Sequence, residues 1–153
     1  MANTYTQIHI QSVFAVKFRL AMIEPLWKTE LHKYITDILQ GNDHKMIAIN
    51  SMPDHMHMLF GFRPTQSLSE LMQFVKGGSS KWINDNNLTN SLFRWQGGFG
   101  AFSYSKSQLD RVAKYIHNQE RHHKKKPFLE EYKNILDGFG VNYDDRYIFK
   151  PLE

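Results

Sequence analysis

The chain contains no cysteine. That excludes a disulfide framework, a cysteine-ligated zinc knuckle and a cysteine nucleophile, and it suits a reducing compartment. Also missing is any apolar run approaching the ~20 residues that a membrane span needs. The N-terminus shows no charged start followed by an apolar stretch. Secretion and membrane insertion are therefore not expected, and a cytoplasmic location is. There is no internal repeat and no low-complexity linker.

What is present is enough apolar and aromatic content, 41% and 14% of 153 residues, to bury one core. A chain of this size is expected to form a single domain over residues 1–153. Nineteen Lys+Arg against fifteen Asp+Glu give a net charge of +4, an excess whose placement matters more than its size. Its densest cluster is Arg121-His122-His123-Lys124-Lys125-Lys126. Such a run is ordinarily a solvated helix end, but it is also the composition of a phosphate-backbone contact. Lys17, Arg19, Lys76, Lys81 and Arg94 are scattered basic candidates of the same kind.

Hydrophobic periodicity orders the elements. Ile8, Ile10, Phe14, Val16 and Phe18 alternate with period two, with Ser12 the polar exception, which predicts a long first strand. Pro25 opens a helix of about residues 25–40, carried by Leu31, Tyr34, Ile35, Ile38 and Leu39 and stopped by Gly41. Two short strands follow, about residues 45–50 and 54–62, joined by Ser51-Met52-Pro53. Ser67-Leu68-Ser69-Glu70 has capping-box spacing and opens a second helix interrupted by Gly77-Gly78-Ser79-Ser80. Strands are expected at about residues 92–96 and 101–104, around Gly97, Gly98 and Gly100. A further helix of about residues 107–124 and a short helix and tail over residues 127–153 complete the chain. The central order β-α-β-β-α-β predicts an α+β split βαβ arrangement, an antiparallel sheet with helices on one face.

Chemistry concentrates in Asp54-His55-Met56-His57-Met58-Leu59-Phe60. On a strand, His55 and His57 project from one face while Met56, Met58 and Phe60 enter the core on the other. Two imidazoles so placed can form half of a metal site, although a chance pairing among eight histidines is an equally ordinary reading. On the later helix, Tyr115 and Gln119 are four apart and share a face. Alone, that pair means little.

Together and in order, these segments resemble the single-tyrosine HUH transposases of the insertion sequence 200/605 family. The likeness spans roughly residues 5 to 126 and rests on several matches. Asp54-His55-Met56-His57-Met58-Leu59 resembles the Asp-His-x-His-hydrophobic segment, with Met56 where bulky aliphatics are commoner. Leu71 to Ser80 is similar to the apolar helix ending in Lys-Gly-x-Ser-Ser, and Phe93-Arg94-Trp95-Gln96-Gly97-Gly98 to the aromatic-rich strand. Tyr115-Ile116-x-x-Gln119 resembles the catalytic helix. The related repeat-associated tyrosine transposases typically follow the tyrosine with Asn-Pro, so Gln119 favours the insertion-sequence branch.

The resemblance implies a ferredoxin-like, RRM-like split βαβ sheet with an additional C-terminal catalytic helix. It implies that Tyr115 attacks single-stranded DNA to leave a 5′-phosphotyrosine. Divalent metal, Mg²⁺ or Mn²⁺, would be held by His55, His57 and Gln119. It further implies hairpins at transposon ends as partners and a homodimer whose subunits share active sites. Gly97, Gly98 and Gly100 are candidate hinges, although a plain turn is as good a reading of them. Lys76, Lys81, Arg94, Arg121, Lys124 and Lys125 are candidate DNA contacts. A base-stacking protein without catalysis, a metal-dependent hydrolase that uses water, and a domesticated nuclease or repressor stand as alternatives.

Overall fold

A computed structural model describes residues 3–123 and 127–144, apart from the side chains of His122 and His123. Lys124 and Lys125 lie outside the described residues. Four strands, β1 (His9–Ala15), β2 (Lys45–Met52), β3 (His55–Gly61) and β4 (Gly100–Tyr104), form one antiparallel sheet in the order β2-β3-β1-β4. This is the α+β sheet that the element order predicts. The helices are α1 (Pro25–Gly41), α2 (Leu68–Asp85), α3 (Leu109–His117), α4 (Gln119–His123) and α5 (Phe128–Gly138).

Period-two alternation decides what each face carries. Ile10, Phe14, Met56, Met58 and Phe60 pack with Leu31, Ile35 and Leu39 of α1 and with Leu71, Met72 and Val75 of α2. Full burial of each such side chain contributes about 1.5–3 kcal/mol. The two helices of the split βαβ unit share that face, as the sequence reading expected. The second face is also covered: α5 lays Phe128, Tyr132 and Leu136 over Val13, Ala15 and Phe102. Beside it, α3 lays Val112 and Ile116 over Ala48 and Leu59. A seam between α3 and α5 therefore runs over the centre of the sheet.

Several boundaries differ from the expected ones, each for a local reason. β1 stops at Ala15 because Phe18 and Arg19 adopt positive φ (60° and 54°) in a single 3-10 turn, Lys17–Arg19. The backbone N–H of Phe18 there donates to Gln96 Oε1 at 3.2 Å. The strand expected at 92–96 reduces to one bridge between Val16 and Trp95. The reason is Asn84, whose amide bonds both the N–H and the carbonyl of Phe93 (2.8 and 3.0 Å) and so takes the groups a neighbouring strand would use.

α2 starts as its capping pattern predicts, with Ser67 Oγ accepting from the Glu70 N–H at 3.0 Å. It then runs unbroken through the glycine-serine segment. Gly78 serves close approach, since a Cβ there would lie 2.8 Å from Ile38 Cδ1 of α1. The helix expected over 107–124 is divided at Asn118. Asn50 of β2 donates through Nδ2 to the carbonyls of Ile116 (2.9 Å) and His117 (3.3 Å), and those bonds satisfy the C-terminal carbonyls of α3.

Candidate active site

His55 and His57 project from β3 into the α3–α5 seam, opposite the core-facing Met56 and Met58, and both are fully buried. Each imidazole is oriented by a second residue. His55 Nδ1–H donates to Asp54 Oδ1 at 2.6 Å, which leaves the Nε2 lone pair turned toward the seam. Its ring stacks on Phe128 with centroids 3.9 Å apart. His57 Nδ1 accepts from Gln11 Nε2 at 3.0 Å, and Gln11 Oε1 accepts from the Tyr104 hydroxyl at 2.9 Å.

The group that ties the seam together is Glu131 of α5, 4% exposed. Its Oε1 accepts from His57 Nε2 at 3.2 Å and lies 3.9 Å from His55 Nε2. Its Oε2 accepts the hydroxyl proton of Tyr115 in a short hydrogen bond. Tyr115 stands edge-on to His57, ring centroids 6.3 Å apart. Burial raises the Tyr115 pKa well above the ordinary phenol value, and the Glu131 hydrogen bond and charge raise it further, while the Gln119 amide pulls it the other way. Burial also pushes Tyr132 up to about 12 and raises Tyr104. In this arrangement Tyr115 is a neutral phenol.

His55, His57 and Glu131 each offer one donor atom, and those atoms all lie within 4.8 Å of one another. Donors about 2.0–2.2 Å from one cation stand roughly 3–4 Å apart, so small movements of these side chains would let the trio hold a divalent metal ion. Gln119 is fully buried beside Tyr115, and its Nε2 donates to the Tyr115 carbonyl at 3.5 Å. The helix break at Asn118 separates the two residues into α3 and α4, yet they remain adjacent.

Glu131 was not found by motif reading. One signal for it exists in the sequence: with Phe128, Tyr132, Ile135 and Leu136 it falls on the apolar stripe of α5, where a lone carboxylate is out of place. Gln11 likewise is a buried polar residue on the face of β1 that it shares with Val13 and Ala15.

The remaining candidates lie elsewhere. Lys76 donates to the carbonyls of Gln96 (2.6 Å) and Gly98 (2.8 Å), bracing the glycine loop, and burial lowers its pKa. Lys81 pairs with Asp85 one turn along α2. Arg94 and Arg121 are exposed. Gly98 adopts φ +83°, whereas Gly100 opens β4 against α5, where a Cβ would lie 2.5 Å from the Tyr132 hydroxyl.

The sequence profile of the family described as "Transposase IS200 like" matches residues 4–119. The chain belongs to that family. Among relatives of this IS200-like transposase is the ISDra2 transposase TnpA of Deinococcus radiodurans, 24% identical over 118 residues that cover 74% of this chain and 84% of the relative. Two solved structures share the fold. One is a protein of Deinococcus radiodurans R1 described as a transposase, with TM-score 0.60 and 20% identity, covering 78% of this chain and 96% of the other. The second is a REP-associated tyrosine transposase bound to a REP hairpin, with TM-score 0.58 and 15% identity, covering 80% and 73%. The family match contains His55, His57, Tyr115 and Gln119 and ends before Glu131. No helix among the described residues is long and apolar enough to cross a membrane.

Proposed function

We propose that this IS200-like transposase cleaves and rejoins single-stranded DNA at transposon ends with Tyr115 as nucleophile. The observation that carries the reading is convergence within one chain: the Tyr115 hydroxyl is bonded to the same carboxylate that bonds His57, beside His55. A nucleophile next to a cluster able to hold a metal is what phosphoryl transfer to a tyrosine needs.

In the proposed reaction the Tyr115 phenolic oxygen attacks a backbone phosphorus and the bond from phosphorus to the 3′-oxygen breaks. The products are a 5′-phosphotyrosine and a 3′-hydroxyl, whose proton replaces the one the phenol gives up. Rejoining is the reverse attack by a 3′-hydroxyl, so the number of phosphodiester bonds is conserved and no nucleotide is consumed. The ligand set taken from the family pattern is His55, His57 and Gln119. A bound Mg²⁺ or Mn²⁺ would supply Lewis acidity toward a non-bridging phosphate oxygen. Asp54 and Gln11 hold the two imidazoles in place.

Hairpin DNA is the proposed partner, supported by the fold shared with the hairpin-bound transposase. Arg94, Arg121, Lys124 and Lys125 are proposed backbone contacts, whereas Lys76 and Lys81 already have protein partners. A homodimer with shared sites belongs to the same proposal. It would exchange the segment that follows the candidate hinge Gly97, Gly98 and Gly100, which carries α3 and α4, between subunits. The base-stacking alternative gains nothing from the fold, because β1 and β3 are covered on both faces.

The test incubates the protein and Tyr115→Phe with end-labelled single-stranded DNA carrying a transposon-end hairpin, with Mg²⁺ or EDTA, on a denaturing gel. A metal-dependent shifted adduct absent from Tyr115→Phe is expected. Cleavage without an adduct would favour the hydrolase, and binding without cleavage a non-catalytic protein.

A further inference from the structure

We infer that Glu131 is a ligand of the metal in this chain, and that its second carboxylate oxygen positions the Tyr115 hydroxyl beside that metal. The inference rests on the reading that His55 and His57 hold a divalent cation, and it adds a residue that the family match does not reach.

The geometry separates the two carboxylate oxygens by role. Oε1 faces both imidazoles, 3.2 Å from His57 Nε2 and 3.9 Å from His55 Nε2, which are donor-to-donor distances that one cation can span. Oε2 faces the nucleophile. A single carboxylate therefore touches both halves of the chemistry.

Burial adds a second argument. Carboxylates are rarely this buried unless a charge or strong donors compensate them, and Glu131 is 4% exposed on the apolar stripe of a helix. A divalent cation between Oε1 and the imidazoles would supply such a charge. Two histidines and a carboxylate also form a donor set that proteins use for catalytic divalent metals, one that leaves coordination positions open for substrate oxygens.

The tautomers agree with this assignment at His55 and specify a change at His57. Asp54 takes the Nδ1 proton of His55, so a neutral His55 presents Nε2 as an acceptor. His57 Nε2 carries the proton it gives to Glu131. For Nε2 to bind metal, that proton moves to Nδ1 and the Gln11 amide turns over, so that Oε1 accepts from Nδ1–H and Nε2 donates to the Tyr104 oxygen. Both contacts survive the turn, since an amide can present either end to partners 3.0 and 2.9 Å away.

The experiment titrates Mn²⁺ into the full chain without DNA, following free Mn²⁺ by electron paramagnetic resonance, for the wild type, Glu131→Gln and Gln119→Ala. Glu131→Gln keeps the shape and an acceptor for Tyr115 but loses the charge. Wild type binding one ion and Glu131→Gln binding it at least tenfold more weakly supports the inference. Glu131→Gln binding like the wild type overturns it, whatever Gln119→Ala does. A wild type that binds no Mn²⁺ also overturns it, together with the metal half of the functional reading, while the Tyr115 adduct is still scored separately on the gel. Anomalous diffraction from Mn²⁺-soaked wild-type crystals needs no variant: a peak bonded to His55, His57 and Glu131 supports the inference, and a peak remote from Glu131 overturns it.

Discussion

The Tyr115 hydroxyl donates to the carboxylate of Glu131, sixteen residues further along the same chain, and that carboxylate accepts from His57 through its other oxygen. The proposed nucleophile and the histidine pair thus meet through a residue of α5. Because His55 and His57 are fully buried under α3 and α5, the proposed reaction requires part of this cover to shift before a DNA phosphate reaches them. The arrangement is closed, with the Tyr115 hydroxyl held on a protein partner.

Gln11 gives the first prediction. It orients His57 and is itself held by Tyr104, and such outer partners of metal-binding histidines are typically worth 10–100-fold in metal affinity. Gln11→Met keeps the volume and removes both hydrogen bonds. Mn²⁺ affinity is expected to fall by about that factor. Hairpin binding in a gel-shift assay should persist, because Gln11 is buried beneath the seam.

Gly100 tests how α5 is seated. A Cβ at this position would lie 2.5 Å from the Tyr132 hydroxyl oxygen and 2.8 Å from Cε1, so Gly100→Ala pushes against the helix that carries Glu131. Overpacking of this kind costs about 1–3 kcal/mol. Denaturant unfolding should show that loss. Adding Tyr132→Phe removes the nearest atom and should recover part of it; no recovery in the double variant would mean that the strain lies elsewhere.

His32 predicts a pH dependence from the face of the sheet opposite the two histidines. Burial, aided by Lys28 one turn away, lowers its pKa from 6.5 to about 4, and its Nε2 sits 2.8 Å from Ser51 Oγ. Above pH 6.5 the imidazole is neutral in both states and contributes nothing to the pH dependence. As pH falls from 6.5 toward 4, the unfolded chain takes up a proton that the folded chain does not, so stability declines through that window. The full loss is up to about 3 kcal/mol. Unfolding free energies of His32→Gln should lack this component between pH 7 and 4.

The sheet and half of the candidate site were legible in the sequence because they follow from short-range periodicity. His55-Met56-His57 needs only a strand to place two imidazoles on one face, and Ser67 with Glu70 needs only a helix start. The misses come from long-range contacts. Asn84 reaching Phe93 removes an expected strand, and Asn50 reaching the end of α3 divides an expected helix. Neither partner is readable from local pattern. Glu131 was hidden for a similar reason: its role depends on α5 folding back over β3, although its place on an apolar stripe was a visible anomaly.

The measurement that tests the central claim most directly is mass spectrometry of the protein after incubation with Mg²⁺ and a single-stranded transposon-end hairpin, digested with protease and nuclease. A nucleotide attached through its 5′-phosphate to the peptide containing Tyr115 is the predicted result. Cleaved DNA with every tyrosine unmodified, or a nucleotide on a different tyrosine, would contradict it.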